Sequence, residues 1–170
     1  DKNKENSALL LSKLIDNIYK FKNHLIKNKN KIDMRFGKYI DQLNMNLTEN
    51  TKIYENDGSE GFTSYSVNKG EKIIFCIREK VNGKHPHEII DINTLMFVAI
   101  HELAHVMTKS IGHGDDFWNN MRYLLSVAIR THAPKNYDPK SKFYTENMNG
   151  NPPEFIYTYE DYSQKSSPYC

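Results

Sequence analysis

The run His101-Glu102-Leu103-Ala104-His105 is where the residue types and spacing of this chain carry chemistry. Histidines four residues apart on a helix project from one face, one turn from each other. Held so, both imidazoles reach a single Zn2+ at about 2.0–2.1 Å. Glu102 stands beside the first of them, where a carboxylate can contact a water on the metal without binding the metal itself. Zinc brings the pKa of such a water close to neutral. The glutamate accepts its proton as the water attacks a carbonyl, then delivers that proton to the departing amine. Against this stands the plain reading of a helix with two surface histidines and an unrelated glutamate. The apolar block that leads into the motif weighs against it, because it makes the helix a buried one.

A catalytic zinc needs a third protein ligand. His113, in Ile111-Gly112-His113-Gly114-Asp115, is the candidate, since flanking glycines let the chain reverse and return an imidazole toward the first two. A histidine that merely sits in a helix-connecting turn is the alternative. The other histidines read as structural or solvated: His85 and His87 flank Pro86 in a loop, while His24 and His132 have no partner at ligand spacing. Asp115 and Asp116 suit the cap of the next helix, with orientation of a ligand imidazole as the second option. Phe117 and Trp118 read as core. Tyr65, Tyr123, Tyr157 and Tyr159 are candidate donors to a tetrahedral oxyanion, and the sequence does not choose among them.

These residues need elements to position them. Apolar residues at Leu10, Leu14, Ile18, Phe21 and Leu25 predict an amphipathic helix starting at Ser7, its cap, after a frayed segment 1–6. The basic tract Lys27-Asn28-Lys29-Asn30-Lys31 ends it as a solvated turn. A shorter helix is expected from Asp33 to Leu43, interrupted at Gly37. Thr51–Glu55, Phe62–Val67 and Lys72–Ile77 read as strands, the last two joined as a hairpin through Asn68-Lys69-Gly70-Glu71. Either hairpin strand could offer an edge that holds an extended substrate by its backbone. The segment Asn82–His87 reads as a loop. A buried helix is expected from Asn93 to Thr108, capped by Asp91 or Asn93, and another from Asp115 to Thr131. Residues 134–170, rich in Pro, Tyr and Asn, read as an extended arm of the same domain, which gives a core over 7–133.

The bulk composition fits one globular domain: 170 residues, 38% hydrophobic and 26% charged. A net charge of +2 gives no electrostatic case for a nucleic-acid partner; the expected substrate, a protein or peptide, comes from the motif. Two cysteines, Cys76 and Cys170, are too few for a disulfide framework or a cysteine zinc site, which favours a reducing, intracellular setting. Asn46-Leu47-Thr48 matches a glycosylation acceptor, a triplet frequent by chance. No apolar stretch approaches the roughly 20 residues that cross a bilayer. The chain starts at Asp1 rather than Met, so an anchor upstream is left open. Oligomeric state is not legible.

From Asn93 to Leu125 the chain resembles the SprT/Spartan-like and WLM-type zinc metallopeptidases. The resemblance rests on His101-Glu102-Leu103-Ala104-His105, then Gly112-His113-Gly114, then Phe117-Trp118 opening the next helix. More loosely, a wider stretch is similar to WLM-type proteins encoded by large DNA viruses. It runs from Thr63 to Gly70, Ile74 to Arg78 and Asp91 to Met96, with Tyr159–Ser163 and Tyr169-Cys170 at the end. The resemblance implies His101, His105 and His113 as zinc ligands, Glu102 as catalytic base, and association with a virus. Cellular members cleave proteins attached to DNA, which makes DNA-linked proteins a possible substrate class. This chain carries no comparable DNA-binding or ubiquitin-type segment.

The expected fold is α+β and zincin-like: an N-terminal helix or two, a small mostly antiparallel sheet, the metal-binding helix against it, and a closing helix. The expected function is zinc-dependent hydrolysis of peptide bonds. A catalytically inactive zinc-containing structural or interaction domain is the rival, and a metal-free binding module is the second.

Overall fold

In a computed structural model, the described residues are 2–31, 33–56, 64–78, 89–90 and 92–132. They form an α+β fold of four α-helices and a three-stranded sheet. Helix α1 (Lys2–Lys27) starts five residues before the expected cap. Ser7 lies inside it, on the buried face it shares with Leu14, Ile18, Phe21 and Leu25. A 3-10 turn (Met34–Phe36), capped by the Asp33 carboxylate accepting from the Arg35 N–H, leads into α2 (Gly37–Asn46). Gly37 therefore opens the second helix rather than interrupting it.

The sheet is mixed, not mostly antiparallel. Strand β3 (Lys72–Phe75) lies in the middle, with β1 (Lys52–Glu55) parallel to it on one side and β2 (Tyr65–Val67) antiparallel on the other. Burial explains the order. Ile73, Ile74 and Phe75 are buried and need cover on both edges, whereas β1 alternates between exposed and half-buried residues, the pattern of an edge strand. The expected β2–β3 hairpin forms, with Ser66 opposite Ile73 and Val67 opposite Lys72. Its turn places Asn68 at φ 47 and Lys69 at φ 57, and the Gly70 N–H donates to the Val67 carbonyl at 3.2 Å. Both residues have positive φ, as the central residues of a type I′ turn do. Gly70 follows at φ 118. A Cβ there would come within 2.7 Å of the Asn46 carbonyl oxygen, so the turn docks on the end of α2 only with glycine at this position.

Helix α3 (Ile92–Met107) is the central element and touches α1, α2, β2, β3 and α4 (Asp115–His132). Leu95 to Ile100 are all buried, as the apolar block required. Where α3 ends, the buried Thr108 hydroxyl donates to the Ala104 carbonyl at 2.7 Å and accepts from Asn120 Nδ2 at 2.8 Å, tying α3 to α4. Asn46 Nδ2 donates to the Val106 carbonyl at 3.4 Å. The C-terminal end of α3, which carries His105 in its last turn and His101 one turn earlier, is thus fastened from α2 and α4.

Cys76 is buried. No helix among the described residues is long and apolar enough to cross a membrane. The arm at 134–170, the loop at 82–87, the expected cap Asp91 and the start of the second expected strand at Phe62 lie outside the described residues.

Candidate metal centre

Helix geometry puts His101 and His105 on one face of α3, and the structure brings their rings to 4.9 Å, centroid to centroid. The loop between α3 and α4 turns back at Gly112, whose φ of 81 suits glycine, and returns His113 to the pair. His113 Nε2 lies 3.0 Å from His105 Nε2 and 3.2 Å from His101 Nε2. All three ligand atoms fall within 4.8 Å of one another. The two predicted ligands and the candidate third therefore converge.

Hydrogen bonding does not account for this convergence. Each ring nitrogen of a neutral imidazole carries either one N–H or one in-plane lone pair, so His113 Nε2 can make one linear hydrogen bond and not two. A cation resolves it. Nitrogens 3.0 and 3.2 Å apart lie close enough to share one cation at the usual metal–imidazole distance of about 2.0–2.1 Å. Three imidazoles suit zinc and also copper, nickel or iron, so the donor set fits a transition metal without fixing which.

The electrostatics keep the nitrogens available. Burial pushes His101 down to about 3, helped by repulsion from His105 and His113. Burial also lowers His105 to about 4, with His113 and Lys69 adding to it, and it lowers His113. All three are then neutral near pH 7, the form that binds metal.

Phe117, fully buried at the start of α4, backs the whole cluster. Its ring lies 5.0 Å from His101, 4.3 Å from His105 and 4.6 Å from His113, while Trp118 stacks on His113 at 5.5 Å. Phe117 is a core residue, as expected, whereas Trp118 is half-buried against the core; both shape the site.

Glu102 is 4% exposed. Burial raises its carboxyl to about 7, while the hydroxyl and backbone N–H of Ser66 donate to the carboxylate and restrain that rise. Ser66 belongs to β2, the outer strand of the sheet among the described residues, and its hydroxyl and N–H reach the glutamate. A cavity of about 530 Å3 connects them, lined by Ser64, Tyr65, Ser66 and Lys69 on one side and by Glu102 and the three histidines on the other.

Not every candidate joins the site. His24 lies on α1 against Asn28. Asp116 has its oxygens on Ser110 Oγ, at 2.8 and 2.7 Å, and on the Phe117 N–H at 2.9 Å; it anchors the loop and the start of α4 instead of orienting an imidazole. Of the four tyrosines, Tyr65 lines the cavity and Tyr123 is buried against Phe36, with ring centroids 4.0 Å apart. Tyr157, Tyr159, His85 and His87 lie outside the described residues, as does the side chain of His132. Ser66 and Lys69 were not singled out from the sequence, because their roles depend on a hairpin docking on a helix about 35 residues away, which no local pattern records.

This chain is similar to three viral proteins. It is 33% identical over 136 residues to the uncharacterized protein R325 of Acanthamoeba polyphaga mimivirus, a match covering 80% of this chain and 66% of that protein. It is 40% identical over 99 residues to the uncharacterized protein 042R of Invertebrate iridescent virus 3, covering 58% and 54%. Against the uncharacterized protein 136R of Invertebrate iridescent virus 6 it is 38% identical over 69 residues, covering 41% and 37%. In each case the match spans less than two thirds of the relative's own length. No family model matches the chain, and no solved structure matches it.

Proposed function

We propose that this chain is a zinc-dependent metallopeptidase of the zincin-like, SprT/WLM-type kind, with His101, His105 and His113 holding the metal and Glu102 acting as catalytic base. One observation carries the reading: three neutral imidazole nitrogens converge beside a buried carboxylate that Ser66 of β2 hydrogen-bonds. A purely structural metal site has no use for a carboxylate placed there.

When bound, the cation supplies a Lewis acid that acidifies water and polarises a carbonyl oxygen. The protein's own residues do the rest. The Glu102 carboxylate, beside the histidines and hydrogen-bonded by Ser66, is placed as the group that takes a proton from water and returns it to an amine. Ser66 aims that carboxylate. The edge of β2 offers backbone groups to an extended peptide, the arrangement by which a strand is added to a sheet. Tyr65 lines the same cavity and is the oxyanion donor this reading selects. The substrate class is protein or peptide; attachment of that protein to DNA is suggested by family resemblance alone.

The test compares the wild type with Glu102→Gln by zinc content and by cleavage of an unstructured protein such as casein. Equal zinc with cleavage lost in the variant supports the assignment. Cleavage that survives removes Glu102 from its role. Zinc in both proteins with activity in neither favours the inactive structural domain.

A further inference from the structure

We propose that Lys69 is a positioning residue for the third metal ligand: from the β2–β3 turn it grips the Ser110 carbonyl and so fixes the loop that delivers His113. The inference rests on the reading of the three histidines as a metal site.

The loop cannot be fixed by burial. Lys109, Ser110, Ile111, Gly112, His113 and Gly114 are all exposed, Ile111 to 95%. Two of the residues flanking or preceding the ligand are glycines, which adds backbone freedom. Yet His113 Nε2 is placed within 3.2 Å of two other imidazole nitrogens.

Ser110 is held from two sides. Lys69 Nζ donates to its carbonyl at 2.6 Å, and its hydroxyl donates to both oxygens of Asp116, itself bonded to the Phe117 N–H of α4. The first of these contacts joins residues 41 apart and ties the ligand loop to the sheet. The far end of the loop is set by the contacts of His113 with Phe117 and Trp118.

The turn supplies an independent sign. Lys69 has a φ of 57, a left-handed conformation that turn chemistry assigns to glycine, asparagine or aspartate. A lysine there works against local backbone preference, and such departures concentrate where the side chain is used. Its charge also lies near enough to His105 to oppose positive charge at the site. The two roles therefore have opposite signs: removing the lysine tightens cation binding if it acts only through charge, and loosens it if it positions the loop.

The experiment uses the full chain. Zinc affinity is measured by chelator competition for the wild type, Lys69→Gly and Lys69→Arg, each also in a His113→Ala background. Hydrogen exchange at residues 110–113 and Tm are measured on metal-stripped protein. Lys69→Gly is expected to weaken zinc binding about 10- to 100-fold, the range for a group that orients a ligand. It is expected to speed exchange at 110–113 and to leave Tm unchanged or raised, because glycine relaxes the turn. Lys69→Arg, which keeps a donor, is expected to stay close to the wild type, and in the His113→Ala background Lys69→Gly is expected to do nothing further. Unchanged or tighter zinc binding with unaltered exchange overturns the proposal, as does an equal affinity loss without His113. A wild type that binds no zinc overturns the metal reading with it; accelerated exchange in the metal-stripped variant would then still record the clamp as a purely structural one.

Discussion

Replacing Glu102 by glutamine should make the metal-stripped protein more stable at pH 8. The carboxyl is 4% exposed, and burial lifts it from an ordinary 4.5 to about 7. A carboxyl raised on folding prefers to fold protonated. Its contribution to stability is complete below about pH 4.5, declines as pH rises toward 7, and is gone above that. The interval between the two values corresponds to roughly 3 kcal/mol. Glutamine is neutral throughout and keeps a carbonyl oxygen that can accept from the hydroxyl and N–H of Ser66. At pH 8 the variant should therefore gain roughly 3 kcal/mol over the wild type, or about 6–12 °C in Tm at 2–4 °C per kcal/mol for a chain of this size. At pH 4.5 the gain should vanish. The assay is thermal or urea unfolding of chelator-treated proteins across that range. A variant equal to or weaker than the wild type at pH 8, or a gain independent of pH, would refute the reasoning. The outcome matters for function, because a carboxylate that destabilises its own fold is characteristic of a site shaped for chemistry.

Three further outcomes follow from the packing and the charge. Phe117→Ala removes a fully buried ring that contacts all three imidazoles; it should cost about 3–5 kcal/mol in urea unfolding and weaken metal binding as well. Gly70→Ala forces a Cβ to 2.7 Å from the Asn46 carbonyl oxygen at a φ of 118 and should destabilise by about 1–3 kcal/mol, whereas a change under about 0.5 kcal/mol would show that the hairpin shifts freely. Because burial drives His101 to about 3 and His105 to about 4, protons should compete with metal only well below the ordinary imidazole value of 6.5. With His113 lowered as well, affinity titrations should lose less between pH 7.5 and pH 6 than three ordinary imidazoles would give, and a loss as steep as theirs would contradict the assigned burial.

The candidate metal motif was legible because its signal is local. A four-residue spacing on a helix fixes two rings on one face, and the apolar block before it announces that the helix is buried. His113 was reached by one more local argument, the glycines beside it. The α+β class and the β2–β3 hairpin also follow from short-range patterns. The mixed sheet did not, since pairing β1 in parallel with β3 joins residues 20 apart and nothing in Lys52–Glu55 records its partner. The start of α1 was misread because polar residues before Ser7 carry no periodic signal, although the helix continues through them. Ser66 and Lys69 were invisible as site residues, their roles arising only once the hairpin lies against α3 and the loop that follows it.

The central claim is most directly tested by metal stoichiometry. Wild type and a His101→Ala/His105→Ala variant are loaded with zinc, dialysed, and measured by inductively coupled plasma mass spectrometry beside a folding check by circular dichroism. The account predicts close to one zinc per chain in the wild type and almost none in a variant that remains folded. Equal retention by both proteins, or none by either, would contradict it.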